Sequence, residues 1–228
     1  SLDDDNFERW SLKANKNKII TISISQFADY YISSSNDHAI CVKTPYSDII
    51  NLHTNDLEPH TLNNILFSIA LSYEAGARSS NVTEGLGNYN DVDGRFSIKK
   101  GHHGSKVIDS SYNANPQSFI ASINSLSKLD GESWLVMGEM GELGENSELY
   151  HKQVARYAYD MGVKKLFVIS KHASTILDEF GQNSYAFDSV DALIIFIKPQ
   201  LNDSVNILVK ASRFMKFEII VNALTERK

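Results

Sequence analysis

Five short apolar runs in the second half of the chain, Lys106 to Asp109, Trp134 to Gly138, Lys165 to Ser170, Tyr185 to Phe187 and Val205 to Lys210, are each followed by a helical pattern rather than by another run. A near-continuous apolar run reads as a strand covered on both faces, and a strand that feeds a helix pairs with the next strand in parallel. Helices are expected from Pro116 (apolar Phe119, Ile120, Ile123, Leu126) and from Ser147 (Val154, Ala158, Met161, closed by Gly162). Others are expected from Ala173 (Ile176, Leu177, Phe180, closed by Gly181), from Ser189 to near Pro199, and from Phe214 (Phe217, Val221, Leu224). Asn115 has the side chain of an N-cap and precedes a proline suited to the first helical position. The pattern predicts an α/β Rossmann-like domain with a mainly parallel sheet, whose ligands sit at the carboxyl ends of the strands.

The first half follows a different pattern. Lys18 to Ser25, Tyr30 to Ser33, His38 to Lys43 and Asp48 to His53 are β-branched runs separated by Asn, Asp, Ser and Pro turns, which reads as hairpins or edge strands. Leu62, Ile65, Leu66, Ile69, Ala70 and Tyr73 then fall on one face of a helix closed by Gly76. A shorter helix, Val82 to Leu86, ends at Gly87, and Asn88 to Gly104 reads as a polar connector.

Composition excludes several functions. With a net charge of −6 and no Lys/Arg run, nothing marks a nucleic-acid or anionic-membrane surface. The single cysteine, Cys41, lies in an alternating strand pattern and cannot form an internal disulfide, which fits a reducing, cytoplasmic compartment. The longest apolar window, Ala192 to Ile197, is far short of the ~20 residues of a membrane helix. His60, His102, His103 and His151 show no metal-ligand spacing, so no metal site is expected. The chain begins Ser1-Leu2-Asp3 without a methionine, and the expectation is that an N-terminal portion precedes it.

Three strand ends carry the candidate chemistry. VIDSSYNANP, from Val107 to Pro116, offers Asp109, Tyr112, Asn113 and Asn115, whose amides and hydroxyls suit a neutral polar ligand such as a base, ribose or peptide; a turn and helix cap would use the same residues. WLVMGEMGELGENSELYH, from Trp134 to His151, contains a glycine-rich loop whose Glu139 and Glu142 suit a cation or an ammonium, or simply a solvated loop before a helix. LVKASRFMKFE, from Leu208 to Glu218, puts Lys210, Ser212 and Arg213 at a strand-to-helix turn, a place for a phosphate or carboxylate as well as for ordinary capping. Arg95 stands alone in the connector. No G-x-x-x-x-G-K-[ST] phosphate loop occurs in the 228 residues.

In this order and spacing the three segments resemble the Mur ligase family, whose patterns run I-D-D-[ST]-Y-N-A-N-P, G-D-M-x-E-L-G-x-x-[SA]-x-x-x-H and L-V-K-G-S-R-x-M-x-M-E. Upstream, PHTLNNILFSIALSYEAGA resembles the family's H-N-x-x-N helix, DVDGRF its P-V-x-G-R turn, and SLDDDNFERW and ADYYI segments of its central domain. The resemblance covers nearly the whole chain. It implies that residues 1–97 are the C-terminal part of a central ATP-binding domain, whose P-loop lies upstream. Residues 98–228 would be the Rossmann-like C-terminal domain that closes over ATP and the amino substrate.

The implied reaction is ATP- and Mg²⁺-dependent amide formation between a UDP-MurNAc-peptide and D-Ala-D-Ala through an acyl phosphate, by a cytoplasmic monomer of cell-wall synthesis. By position, Asn64, Arg95, Asp109, Asn113 and Asn115 are the implied ATP-site residues, and Tyr112, Lys210, Ser212 and Arg213 the implied substrate-site residues. The catalytic phosphate and metal ligands would lie outside this chain. Four positions depart from the pattern: Thr61 for Asn, Ser110 and Glu139 for Asp, and Ala211 for Gly. Two alternatives stand beside this reading: a noncatalytic binding paralogue that keeps the fold, and a sister amide ligase such as folylpolyglutamate synthetase, which the Y-N-A-N-P loop argues against.

Overall fold

The computed structural model describes residues 1–14, 17–36, 39–53, 59–88 and 94–226. The chain divides into two compact units, Ser1–Asn90 and Asp91–Lys228. The first unit holds helix α1 (Phe7–Ala14), strands β1 (Ile22–Ser23), β2 (Tyr30–Asn36), β3 (Ala39–Lys43) and β4 (Ile49–His53), and helices α2 (Pro59–Glu74) and α3 (Ser79–Gly87). Its sheet runs in the order β1-β2-β3-β4, with β1 and β2 parallel and the two remaining pairings antiparallel. The predicted face of α2 is the buried one: Leu62, Leu66, Ile69, Ala70 and Tyr73 pack with Tyr30, Ile40, Val42, Ile50 and Leu52 from the sheet.

Two expectations for this unit need correction. The strand expected over Lys18 to Ser25 is only Ile22–Ser23. Its flanks bond to carboxylates instead: Asp29 accepts from the amide and hydroxyl of Thr21, and Asp3 accepts from the amide of Ile24 and the hydroxyls of Ser23 and Ser25. Side-chain acceptors of this kind compete with a sheet ladder for the same backbone donors. Helix α1 lies outside the elements expected from sequence: Phe7, Trp10 and Ala14 share one face, but the helix is only eight residues long and buries no residue. The expected start at His38 lies outside the described residues. Cys41 is half-buried on β3, as a strand residue should be.

The second unit is a three-layer sandwich. Its strands are β5 (Ser97–Lys100), β6 (Lys106–Ser110), β7 (Glu132–Gly138), β8 (Lys165–Ile169), β9 (Ser184–Ala186) and β10 (Val205–Lys210). Its helices are α4 (Pro116–Ser127), α5 (Ser147–Asp160), α6 (Ala173–Phe180), α7 (Val190–Ile197) and α8 (Glu218–Leu224). The sheet order is β5-β6-β10-β7-β8-β9, parallel except for the antiparallel edge strand β5. Alternate strand residues serve opposite layers, as a two-residue side-chain period requires. Ile108, Leu135, Met137, Val168 and Leu208 meet Phe119, Ile123, Val154, Ala158 and Ile176 of α4, α5 and α6. Val107, Trp134, Val136, Phe167, Ile207 and Val209 meet Leu193, Ile197, Phe217, Ile220 and Val221 on and around α7 and α8.

The strands and helices expected here are present, with two differences. The polar connector Asn88 to Gly104 contains β5, whose alternation of half-buried and exposed residues is that of an edge strand and gives no apolar run. The last helix begins at Glu218 rather than Phe214, because Arg213–Met215 form a single 3-10 turn and Lys216 takes the left-handed conformation, φ 52°. Topology places the candidate site. Strand β10 lies between β6 and β7; it is followed by α8 on one face, whereas β6 and β7 are followed by α4 and α5 on the other. Chains leaving neighbouring strands in opposite directions open a crevice at the strand ends.

Candidate functional site

Each wall of the crevice comes from one strand end. Asn115 Oδ1 accepts from the amide of Ser118 at 2.8 Å, and the Ser118 hydroxyl oxygen accepts from the Asn115 amide at 3.0 Å. This capping box and Pro116 start α4 and set where the loop 111–114 stands. Asn113 Oδ1 accepts from the amide of Ala114 at 2.8 Å. At the loop's start, the Tyr112 amide donates to the Gly94 carbonyl at 3.0 Å. Gly94 has φ +81°, and a Cβ there would stand 2.9 Å from the Tyr112 nitrogen, so only glycine permits this approach. The result sets the guanidinium of Arg95 over the ring of Tyr112, 4.9 Å from its centroid, with both residues open to solvent.

Asp109 and Lys210 turn inward. Asp109, 2% exposed, accepts from the Ser111 amide and hydroxyl on Oδ1 and from Lys99 Nζ at 2.9 Å on Oδ2. Burial by itself would raise this carboxyl; the Ser111 hydroxyl, the Lys99 ammonium and the Ser111 amide outweigh it and hold it below the usual carboxylate range. Lys210, 3% exposed, is the register partner of Ser110 and donates to its hydroxyl at 3.1 Å and to the Asn113 carbonyl at 2.9 Å. Ser110 is where the resembled pattern carries an acid, so the buried ammonium here meets one hydroxyl and one carbonyl, with Ser122 Oγ 3.3 Å beyond Ser110 Oγ. Burial lowers the Lys210 ammonium from 10.5 to about 8.

Ser212 ties the walls together. Its hydroxyl accepts from the Gly141 amide at 2.8 Å and donates to the Ala114 carbonyl at 3.3 Å, while its own amide donates to the Glu139 carbonyl at 2.9 Å. Ala211 is accommodated because Gly138 faces it: a Cβ at Gly138 would lie 2.5 Å from the Ala211 methyl and 2.8 Å from the Phe217 ring. Arg213 behaves differently from its neighbours, with 62% of its side chain exposed and Nη1 3.2 Å from Glu218 Oε1. Of the residues named from sequence, the second unit thus gathers Asp109, Tyr112, Asn113, Asn115, Lys210 and Ser212 at one set of strand ends. Arg95 is brought onto Tyr112, and Asn64 is an exposed residue of α2 in the first unit.

The glycine-rich loop after β7 is stapled by His151, a role the sequence did not disclose. The buried imidazole accepts the Met140 amide on Nε2 at 2.9 Å and donates from Nδ1 to the Ser147 carbonyl at 2.6 Å. Burial is the largest influence on this imidazole, and it is held neutral, below its usual range. Glu139, His151 and His172 bring one ligand atom each to within 4.8 Å of one another, a cluster invisible in sequence because His172 lies on the loop after β8. Both ring nitrogens of His151 are committed to backbone bonds, and a set of two imidazoles and one carboxylate does not suit Mg²⁺, which takes oxygen ligands. Glu139, Gly141, Glu142, Ser147, Lys171 and Phe214 line a cavity of about 290 Å³ beside this loop.

The sheet order, the crevice beside β10 and the loops that meet there define a Rossmann-like ligand-binding domain. The family profile "Mur ligase, glutamate ligase domain" matches residues 94–213, and the chain belongs to the Mur ligase family. The UDP-N-acetylmuramoyl-tripeptide--D-alanyl-D-alanine ligase of Escherichia coli (strain K12) is 34% identical over 169 residues, which are 73% of this chain and 37% of that protein. The enzyme of the same name from Buchnera aphidicola subsp. Baizongia pistaciae is 28% identical over 229 residues, 97% of this chain and 49% of that one. This chain thus spans half or less of the length of these relatives. In fold it is similar to a crystal structure of MurF from Acinetobacter baumannii, with a TM-score of 0.81 at 24% identity, over 98% of this chain and 50% of that one. MurF ligase from Thermotoga maritima in complex with ADP gives a TM-score of 0.74 at 21% identity, over 96% of this chain and 51% of that one.

Proposed function

We propose that this chain is part of an ATP-dependent ligase that adds D-Ala-D-Ala to a UDP-MurNAc-tripeptide in cell-wall synthesis. The observation that carries the reading is the Ser212 hydroxyl joining the loops after β6 and β7 beside β10, which makes one continuous cleft of the three segments that resemble the family. The names of the relatives support the substrate. In this reading residues 1–97 are the end of the ATP-binding domain and residues 98–228 the domain that receives the amino substrate, in a cytoplasmic monomer.

Bound ATP would supply the phosphoryl group that activates the peptide carboxylate as an acyl phosphate; attack of the D-Ala-D-Ala amine on the acyl carbon would form the amide and release inorganic phosphate. The residues present fit a nucleotide where they are open to solvent. Arg95 over Tyr112 offers a cation beside an aromatic face, and the Asn113 side-chain amide has its nitrogen available as a donor. Asp109 and Asn115 serve by building that wall, since their oxygens are taken up by Ser111, Lys99 and Ser118. Lys210 and Ser212 hold the amino-substrate side in register, and Arg213 stands at its rim as a cation for a carboxylate. Among the described residues the one cluster of acidic and imidazole ligand atoms, Glu139, His151 and His172, does not suit Mg²⁺, which takes oxygen ligands.

Titrating the 228-residue protein with ADP or ATP while following backbone amide resonances tests this. Saturable shifts are expected at Arg95, Tyr112 and Asn113, and Arg95→Ala should weaken them about tenfold, the loss of one charge-assisted contact. Shifts confined to other segments would overturn the nucleotide assignment.

A further inference from the structure

His151 stands on α5 with no exposed surface and with its two ring nitrogens on different partners. Nδ1 lies 2.6 Å from the Ser147 carbonyl oxygen, which can only accept, so the proton of the neutral ring is on Nδ1. Nε2 therefore carries a lone pair, and the Met140 amide donates to it at 2.9 Å. With both positions engaged, the chemistry left to the ring is the gain of one proton. Glu139 Oε2 lies 3.5 Å from the same Nε2. In the neutral ring that approach joins two acceptors. In the charged ring it becomes an ion pair, while the Met140 N–H and the new Nε2–H would point at one another. The Glu139 carboxylate is held in place for this exchange by its other oxygen, which accepts from the Ser170 hydroxyl at 3.0 Å and the Lys171 amide at 2.9 Å.

We propose that His151 is a proton-operated latch on the glycine-rich loop: neutral, it holds the Met140 amide, and protonated, it turns its new N–H to Glu139 and lets that amide go. The residues on either side of Met140 carry the release outward. Both are tied to Ser212, whose amide donates to the Glu139 carbonyl at 2.9 Å and whose hydroxyl accepts from Gly141 at 2.8 Å while donating to the Ala114 carbonyl. Met140 is 2% exposed, so an amide freed there is left unpaired until the loop moves. The latch thus links one buried proton to the junction between the loops after β6 and β7, whatever ligand the cleft takes.

The surroundings of the ring set the pH range. Burial opposes the charged form most, with His172 and Lys171 adding to it; the Ser147 carbonyl and Glu139 favour it, and the balance holds the imidazole below its ordinary 6.5. Among the other elements packed on α5, α4 carries no titratable side chain, Glu179 of α6 pairs with Lys152, and Asp178, Glu142 and Glu145 are exposed. As pH falls, the unfolded chain takes up the proton first. The stability that the neutral ring contributes is therefore complete above 6.5 and is lost as pH falls below it and through the folded value.

Imidazole-nitrogen and backbone-amide resonances of the 228-residue protein, followed from about pH 8 to about pH 5, test the latch. His151 Nε2 is expected to gain its proton below 6.5, with the amides of Met140, Gly141 and Ser212 shifting at the same midpoint. Over that step the hydrogen-exchange protection of Gly141 should fall about tenfold or more. Phe119 and Leu208, in the core beneath the loop, should keep their shifts. Glu139→Gln removes the charge that receives the proton and should move the midpoint down by roughly half a pH unit or more. His172→Gln should leave the step at Gly141 in place, and His151→Gln should abolish it. An Nε2 that stays unprotonated throughout, constant protection of Gly141 while His151 titrates, or an unmoved midpoint in Glu139→Gln each overturns the proposal. So does loss of the step in His172→Gln, which would make His172 the sensor, or its survival in His151→Gln. A step shared by Phe119 and Leu208 is global unfolding and also overturns it. The wild-type, Glu139→Gln and His172→Gln readouts decide the matter even where His151→Gln fails to fold.

Discussion

At the scale of single residues, the least expected finding is a lysine with no carboxylate at the centre of the strand-end cluster. Lys210 is legible in sequence as a cation at a strand terminus, and so it reads as a ligand group; its register with Ser110 instead turns it under the loop, where it supports the Asn113 carbonyl. The consequence is a pH signature. Its folded ammonium titrates at about 8 against 10.5 in the unfolded chain, so between those values the unfolded state binds more protons and this group's contribution to stability rises with pH. Below about 8 both states are protonated and the burial cost is constant. Comparing the wild type with Lys210→Met by urea unfolding from pH 7.5 to 10.5 should therefore show the wild type gaining on the variant, by up to roughly 3 kcal/mol, the free energy of the full pKa difference. A constant difference across that range would mean that Lys210 is not desolvated. Ser212 and His151 teach the same lesson about reading residues: each looks like a surface or ligand group in sequence, and each spends both hydrogen-bonding positions on backbone.

At the scale of elements, the helix starts were the most legible features and the edge segments the least. Asn115-Pro116 announces α4 through local chemistry alone, because an amide acceptor and a preset φ act within one turn. Asn115→Ala should cost about 1 kcal/mol in a chemical unfolding experiment. It should also loosen the Ala114 carbonyl that Ser212 reaches, visible as faster hydrogen exchange at Gly141 than in the wild type. An unchanged exchange rate at Gly141 would separate the cap from the loop junction. By contrast, β5 carries no apolar run, α1 is only eight residues long and buries no residue, and the run Lys18 to Ser25 carries a period that carboxylates from Asp3 and Asp29 interrupt. Short edge elements are stabilised by neighbours that a local window does not contain.

At the scale of the whole molecule, the two units have separate cores: residues 20–86 supply one, and residues 96–224 supply the two layers of the other. A polypeptide of residues 94–226 is therefore expected to unfold cooperatively, with amide resonances that overlay those of the same residues in the 228-residue chain; a broad, noncooperative transition would show that the second unit depends on the first. Sequence by itself determined the class of the elements other than α1 and β5, the core-facing side of α2 and of the helices after the parallel strands, the α/β layering of the second unit, and membership of a family through three strand-end segments. These follow from periodicity and capping, which act over a few residues. Only the tertiary structure decided that β10 lies between β6 and β7. That insertion joins Lys210 to Ser110 across 100 positions, and Ser212 to Ala114 and Gly141 across 98 and 71. The pairing of β8 with β7 brought His172 beside Glu139 and His151. Strand order is set by how all the helices together cover both faces of one sheet, a sum over the whole domain that no single segment carries.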